Sequence, residues 1–385
     1  MKNSSQYDQT PRRTMRSRHR IIKILGAAVL LSVAGAVSAQ AEEKVLNVYN
    51  WSDYIAPETI RNFEQEYGIE VNYDLYDSTE IVEAKLLAGR TGYDVVIQSV
   101  RYSARLIPID VFQPLDKRQL PLWDNLDPWV LEIMRGYDPG NLYGMPYMWG
   151  STGFAYNVDM ILERMPDAPL DSGAMLFDPD VVSRFADCGV TLLDEPTDVI
   201  PMAMQYLGHD ANSLNPEHIA EAEALLKKVR PYVRYFSSGK MINDLPNREV
   251  CIAMSWSGDY AQAMNRAKEV GADVKLAYAV PEEGTLYWFD GIFVPADAPH
   301  PGNAHLFLNY LLRPEVIAEI TNVTHYANAN LASLPWVANE IVGDPATYPS
   351  QADRDNAIIG YIFGPKDERQ RTRAWSRVKT GPPTS

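Results

Sequence analysis

The strongest constraint in this chain is the order of elements between Val45 and Ile97. Val45–Tyr49 alternates as a strand. Pro57 to Tyr67 follows with Ile60, Phe63 and Tyr67 on one stripe, the spacing of an amphipathic helix, and Gly68 is its stop. Ile69–Tyr73 reads as a second strand and Glu80–Leu87 as a second helix, with Val82 and Leu86 four residues apart. Tyr93-Asp94-Val95-Val96-Ile97 is then a nearly continuous apolar strand, the mark of a sheet covered on both faces. The order β-α-β-α-β implies a parallel α/β domain. Ligands of open α/β sheets settle outside the carboxyl ends of the strands. The first such end carries Asn50-Trp51-Ser52-Asp53-Tyr54, and Ser99 lies just past the third strand at the same edge. Indole, carboxylate and phenol together suit a cation: the ring face holds charge and alkyl chain, and the oxygens accept N–H bonds. The plainer alternative is a packed strand end with Asp53 capping a turn.

The 385 residues are enough for two domains with separate cores. Arg12, Arg13, Arg16, Arg18, Arg20 and Lys23 precede the apolar run Ile24 to Val37 and the small residues around Ala39 and Ala41. Residues 1–41 therefore read as a secretory signal, too short in its apolar part for a membrane span. That segment carries seven Lys and Arg against one Asp, so its removal takes the net charge from −15 to −21. A strongly acidic exported chain repels nucleic acid and anionic membranes and favours cationic ligands. Cys188 and Cys251 are a disulfide candidate in an oxidising compartment, with two buried free thiols as the alternative.

Farther along, residues 114–150 read as an ordered crossover, and Asn215-Pro216-Glu217 starts a helix with Ile219, Ala222, Leu225, Leu226 and Val229 on one face. Val250–Met254 is a buried strand leading to Ser255-Trp256-Ser257-Gly258-Asp259, a second Trp with an Asp three residues on. A strand near Val274–Ala279 precedes Tyr287-Trp288-Phe289-Asp290. The helix around Asn303 to Leu312 ends at Arg313-Pro314, and the last ~60 residues offer little beyond Tyr326. Trp51/Asp53, Trp256/Asp259 and Trp288/Asp290 read as three strand-end pairs and suggest an aromatic slot with carboxylates at intervals. A diamine or triamine needs that: its methylenes prefer ring faces, and each ammonium needs acceptors once water is removed. Core packing is the competing explanation for Trp256 and Trp288. Hydrolase readings fare worse. There is no G-x-S-x-G, and none of His209, His218, His300, His305 or His325 sits in an H-E-x-x-H motif. An Asp pair of glycosidase type is the enzyme alternative. No catalytic residue, cofactor or metal is expected.

The segments Tyr49–Tyr54, Met145–Trp149, Arg234–Phe236, Ile242–Leu245, Phe307–Glu315 and Tyr326–Asn330 resemble the periplasmic polyamine-binding proteins of bacterial ABC importers, especially the putrescine branch. The resemblance runs from about Lys44 to Lys379. It implies an α/β fold of the periplasmic binding protein type II class, two α/β lobes joined by a hinge. Lobe 1 would hold 42–148 plus about 280–322, and lobe 2 would hold 149–279 plus about 323–385. It implies a non-catalytic monomer in the periplasm that hands polyamine to an inner-membrane permease, and a Cys188–Cys251 disulfide. Carried over by position, ligand contacts fall on Trp51, Ser52, Asp53, Tyr54 and Ser99 from one lobe. Asp198, Ser238, Trp256, Asp259, Trp288, Asp290 and Tyr326 come from the other lobe and the hinge side. Asp259 and Asp290 would hold one primary ammonium, with Asp198 and Ser99 toward the other end. Three positions depart from the relatives: Asp198 stands for a Glu, Trp288 for the Phe of putrescine-type proteins, and Arg101 for a small or polar residue. Trp288 matches the spermidine-type proteins, so spermidine is the expected ligand, with putrescine close behind. Another organic cation, such as a quaternary ammonium or a basic amino acid, and a sensor role are the alternatives.

Overall fold

The computed structural model describes residues 42–380 apart from Asn356, so the expected signal segment lies outside the described residues. The opening pattern folds as read, with small shifts at the ends. Strands β1 (Val45–Trp51), β2 (Glu70–Tyr76) and β3 (Val95–Ser99) alternate with helices Pro57–Tyr67 and Thr79–Ala88. Pro57 opens the first helix, where its missing N–H costs nothing. Gly68 closes it at φ 63°, giving its N–H to the Glu64 carbonyl, a left-handed turn that a Cβ would disfavour. β1 pairs in parallel with β2 on one side and β3 on the other.

A second parallel set lies at the far end of the same sheet. β5 (Val190–Leu192) pairs in parallel with β6 (Val233–Phe236) and with β7 (Ile252–Trp256). Two antiparallel strands join the sets: β9 (Leu286–Phe293) runs beside β3, and β4 (Gly144–Asn157) beside β9. The strand order is β2-β1-β3-β9-β4-β7-β5-β6, with β8 (Leu276–Ala279), β10 (Ala327–Asn328) and β11 (Ile358–Ile359) as side pairings on β4 and β9. All fourteen residues of β4 are buried. Its first half pairs with β9 and its second half with β7, so one strand belongs to both parts of the sheet. The residues expected to form a crossover thus end in the strand that ties the molecule together.

Two apolar cores flank this centre. One gathers Leu46, Val48, Phe63, Ile97, Trp149, Phe293 and Phe307. The other gathers Phe154, Phe177, Phe185, Ile200, Leu226 and Met254. Trp256 packs against both. The sequence reading groups residues from about 323 onward with the second half. Tyr326, Ala327 and Ala329 pack instead in the first core, whereas Ala374, Trp375 and Val378 pack in the second. The reason is β10, whose antiparallel pairing with Met148 and Trp149 draws that segment back to the first half of β4.

Cys188 and Cys251 are joined in a disulfide, with Cα atoms 5.5 Å apart. Cys188 stands two residues before β5 and Cys251 directly before β7, and the parallel pairing of these strands brings the cysteines together across 63 residues of sequence. Closing a loop of that length in the unfolded chain is worth about 4 kcal/mol by loop-closure entropy. Reduction with dithiothreitol, or the double substitution C188A/C251A, is expected to lower the melting temperature by several degrees. Calorimetry checks this, and an unchanged melting temperature would mean that the bridge adds nothing.

Candidate functional site

The ends of the parallel strands face one another across the middle of the sheet. Trp51 ends β1, Ser99 ends β3 and Trp256 ends β7, and helices start at or soon after each of them. The cavity between them has a volume of about 160 Å³, below the roughly 300–1,000 Å³ of drug-sized sites. All twelve residues singled out from the sequence as ligand contacts line it.

Its walls are aromatic. Trp256 stands edge-on between Trp51 and Trp288, each 6.3 Å away between ring centroids. Tyr326 packs edge-on against Trp288 at 5.2 Å and against Tyr54 at 5.2 Å. Two glycines make room for these rings. A Cβ on Gly150 would come within 2.7 Å of the Trp288 ring, and one on Gly258 within 2.6 Å of Tyr326. Trp288 and Asp290 differ from the sequence reading in one respect: they lie inside β9, not at a strand end. The alternation of a strand puts both on one face, toward the cavity.

The carboxyl groups come from two kinds of position. Asp290 projects from β9 directly opposite Ser99 in the antiparallel ladder. Ser99 therefore sits beside Asp290 and not toward the other end of the slot with Asp198, as the resemblance implied. Asp198 and Asp259 occupy equivalent places in the first turns of helices Pro196–Tyr206 and Ser257–Glu269, which follow β5 and β7. Asp198 accepts a hydrogen bond from the Thr152 hydroxyl at 2.5 Å, and Asp259 accepts one from the Tyr326 phenol at 2.5 Å. Ser52 and Asp53 are exposed at the rim, Asp53 in the left-handed region at φ 52°.

A fourth buried acid escaped the sequence reading. Glu195 occupies the N-cap position of the Asp198 helix, its carboxyl making no capping hydrogen bond, and it lines the cavity, only 2% exposed. Its Oε1 is 3.5 Å from both the backbone N and the hydroxyl of Thr79, long for hydrogen bonds. The signal was present in Glu195-Pro196-Thr197-Asp198, an acid at a helix start three residues before another acid on the same first turn.

Among the described residues, no Lys, Arg or His lies within ion-pair distance of Glu195, Asp198, Asp259 or Asp290. Burial therefore disfavours their charged forms. It raises Asp259 and Asp290 to about 7 each, against partial relief from the Tyr326 and Tyr54 phenols respectively. Asp53 adds to the rise at Asp259, and Asp198 adds to it at Asp290. Burial pushes Glu195 well above the usual carboxylate range, with Glu80 and Asp198 adding to it. It raises Asp198 less decisively, because the Thr152 hydroxyl and the nearby Arg101 charge favour the ionised form. Four enclosed acids without a basic partner are unfavourable as a packed core. They make chemical sense around a ligand that supplies positive charge.

Comparisons with known proteins identify the family of the chain. The family model for bacterial extracellular solute-binding proteins matches residues 58–348. The chain is similar to the putrescine-binding periplasmic protein PotF of Escherichia coli, with 45% identity covering 93% of this chain and 96% of that protein. It is 43% identical to the putrescine-binding periplasmic protein SpuD of Pseudomonas aeruginosa, over 94% of this chain and all of that one. Among solved structures, the spermidine/putrescine ABC transporter substrate-binding protein PotD of Streptococcus pneumoniae superposes with a TM-score of 0.70 at 26% identity. That match covers 88% of this chain and 99% of PotD. These are substrate-binding transport proteins rather than enzymes. Fold, strand-end cavity and sequence together place this chain in the family of bacterial extracellular solute-binding proteins.

Proposed function

We propose that this chain captures a linear polyamine in the strand-end cavity and delivers it to an ABC permease in the inner membrane. The observation that carries the reading is the set of four buried carboxyls without basic partners, enclosed by three indoles. A polyamine answers each element of that set. Its ammonium groups supply the missing charges, each charge-assisted hydrogen bond contributing roughly 1.5–3 kcal/mol. Its methylene segments lie along ring faces, where cation–π attraction adds roughly 0.5–2 kcal/mol per ring. A quaternary ammonium donates no hydrogen bonds and would leave the carboxyls unanswered.

Spermidine is our preferred ligand over putrescine. Glu195 adds an acid beside Asp198, giving that end of the slot the acceptors for an additional ammonium. Trp288 adds a broad ring face along the way. The relatives' names, putrescine-binding in PotF and SpuD, support the ligand class. The two apolar cores support a reading as two lobes that close on the ligand, with the shared strands β4 and β9 as the hinge. Export through residues 1–41 to the periplasm completes the proposal, in line with the relatives' location.

Titration calorimetry on refolded protein tests the ligand. Spermidine should bind more tightly than putrescine; the reverse order overturns the ligand choice, and no heat with either overturns the function. The substitution Asp290→Asn should cost about 3 kcal/mol, roughly a hundredfold in affinity, because an enclosed ammonium then lacks a charge partner. Near-unchanged affinity would remove Asp290 from the site.

The raised values of Asp259 and Asp290, about 7, give the pH dependence its sign. An ammonium binds the ionised carboxyls, so affinity should climb from pH 5 to 8, and binding at pH 6 should release protons. Heats compared in buffers of different ionisation enthalpy measure that release. Stability without ligand runs the other way. These groups favour folding below pH ~4, and that contribution is lost as pH rises through about 7. In the absence of polyamine, the melting temperature of Asp290→Asn should therefore gain on the wild type between pH 4 and 8. A constant difference would contradict the buried, uncompensated acid.

A further inference from the structure

Arg101 is the feature of the cavity that an amine site explains least. It sits in the first turn of the helix Val100–Leu106, two residues past Ser99, and lines the cavity beside Tyr137 and Gly360. Its guanidinium lies 4.8 Å over the ring of Phe363, and the same ring carries the Arg371 guanidinium at 4.1 Å. Arg371 is itself tied to the Ser213 carbonyl by a 2.7 Å hydrogen bond. A Cβ on Gly360 would come within 3.4 Å of Arg101 Nη1, and the Tyr137 hydroxyl donates to the Gly360 carbonyl. Arg101 is packed against Phe363 and Gly360, with its side chain only 12% exposed.

Its charge is only loosely offset. The Glu368 carboxylate stands 3.5 Å from Nη2 and is shared with Arg105 at 3.9 Å. Arg101 Nε and Nη2 are both buried without a hydrogen-bond acceptor. A positive group thus remains at the end of the slot next to Asp198, whose ionised form it favours.

We propose that Arg101 is a specificity-determining residue: it closes one end of the slot with a fixed positive charge and so limits the length of the amine that fits. The proposal rests on the polyamine reading above. An ammonium that stops at Asp198 and Glu195 meets acceptors. One carried a further aminopropyl unit along meets a largely enclosed guanidinium that accepts no hydrogen bond. Like charges at close range in a desolvated site reject the longer ligand more strongly than steric fit alone would.

Calorimetry with putrescine, spermidine and spermine on the wild type, Arg101→Gln and Glu368→Gln tests it. The wild type should bind spermine at least tenfold more weakly than spermidine. Arg101→Gln, which keeps most of the side chain's bulk without its charge, should narrow that gap to threefold or less by tightening spermine, with putrescine affinity changed less than threefold. Glu368→Gln, which leaves the guanidinium in place, should keep the gap at tenfold or more. If Arg101 only links its helix to the C-terminal segment, both substitutions weaken all three amines by the same factor, and the proposal falls. It falls equally if the spermine-to-spermidine ratio is the same in wild type and Arg101→Gln. A wild type that binds none of the three amines, with its melting temperature showing that it is folded, overturns the polyamine reading and this proposal with it.

Discussion

The site depends on one electrostatic constraint: carboxyl groups enclosed where nothing basic pairs with them. Taking a carboxylate out of water costs several kcal/mol unless charge or hydrogen bonds compensate. A chain that buries Glu195, Asp198, Asp259 and Asp290 around one cavity therefore pays for that arrangement in stability. The fold tolerates it because the rest of the interior is conventional: two apolar cores, a continuous sheet, and a disulfide across the second parallel set. Where acids could be helped without removing the need for a cation, they are. Phenols and a hydroxyl stand beside three of them, and Asp198 and Asp259 sit at helix N-termini, where the backbone dipole favours negative charge.

Placement of these groups follows from the sheet. Two parallel sets would each put their strand ends on one edge. The long antiparallel strands β4 and β9 turn those edges toward each other. Residues distant in sequence then meet within ring-contact distance, Trp51 with Trp256 and Tyr326 with Tyr54 and Trp288. β4 is buried from Gly144 to Asn157 because it carries both cores on its length. The glycines within it are selected by neighbours, as at Gly150 under Trp288.

Much of this could be read from residues alone, and the parts that could not share a cause. The helix at Pro57–Tyr67 and its stop at Gly68 are local signals, and they hold to the residue. The three Trp–Asp pairs gave a correct neighbourhood, since short-range spacing near strand ends points toward one sheet edge. The sequence misplaced Trp288 and Asp290 within their strand, because an aromatic run has no local mark of where a strand begins. Glu195 was passed over although it stands at the start of the very helix that presents Asp198, since an acid at a helix start and a site acid look alike in one dimension. The polar C-terminal stretch concealed most. Gly360, Phe363 and Glu368 have no periodic pattern, and only long-range packing against Arg101 and Tyr137 gives them a role.

The clustering of Trp51, Trp256 and Trp288 has an optical consequence. The chain holds eight tryptophans, and these three share the wall of one small cavity. Indole excited states respond to nearby charge, so a cation seated among them acts directly on the emission of a large share of the protein's fluorophores. The same rings that would grip an alkyl chain make this molecule its own indicator, with no dye attached and no residue changed.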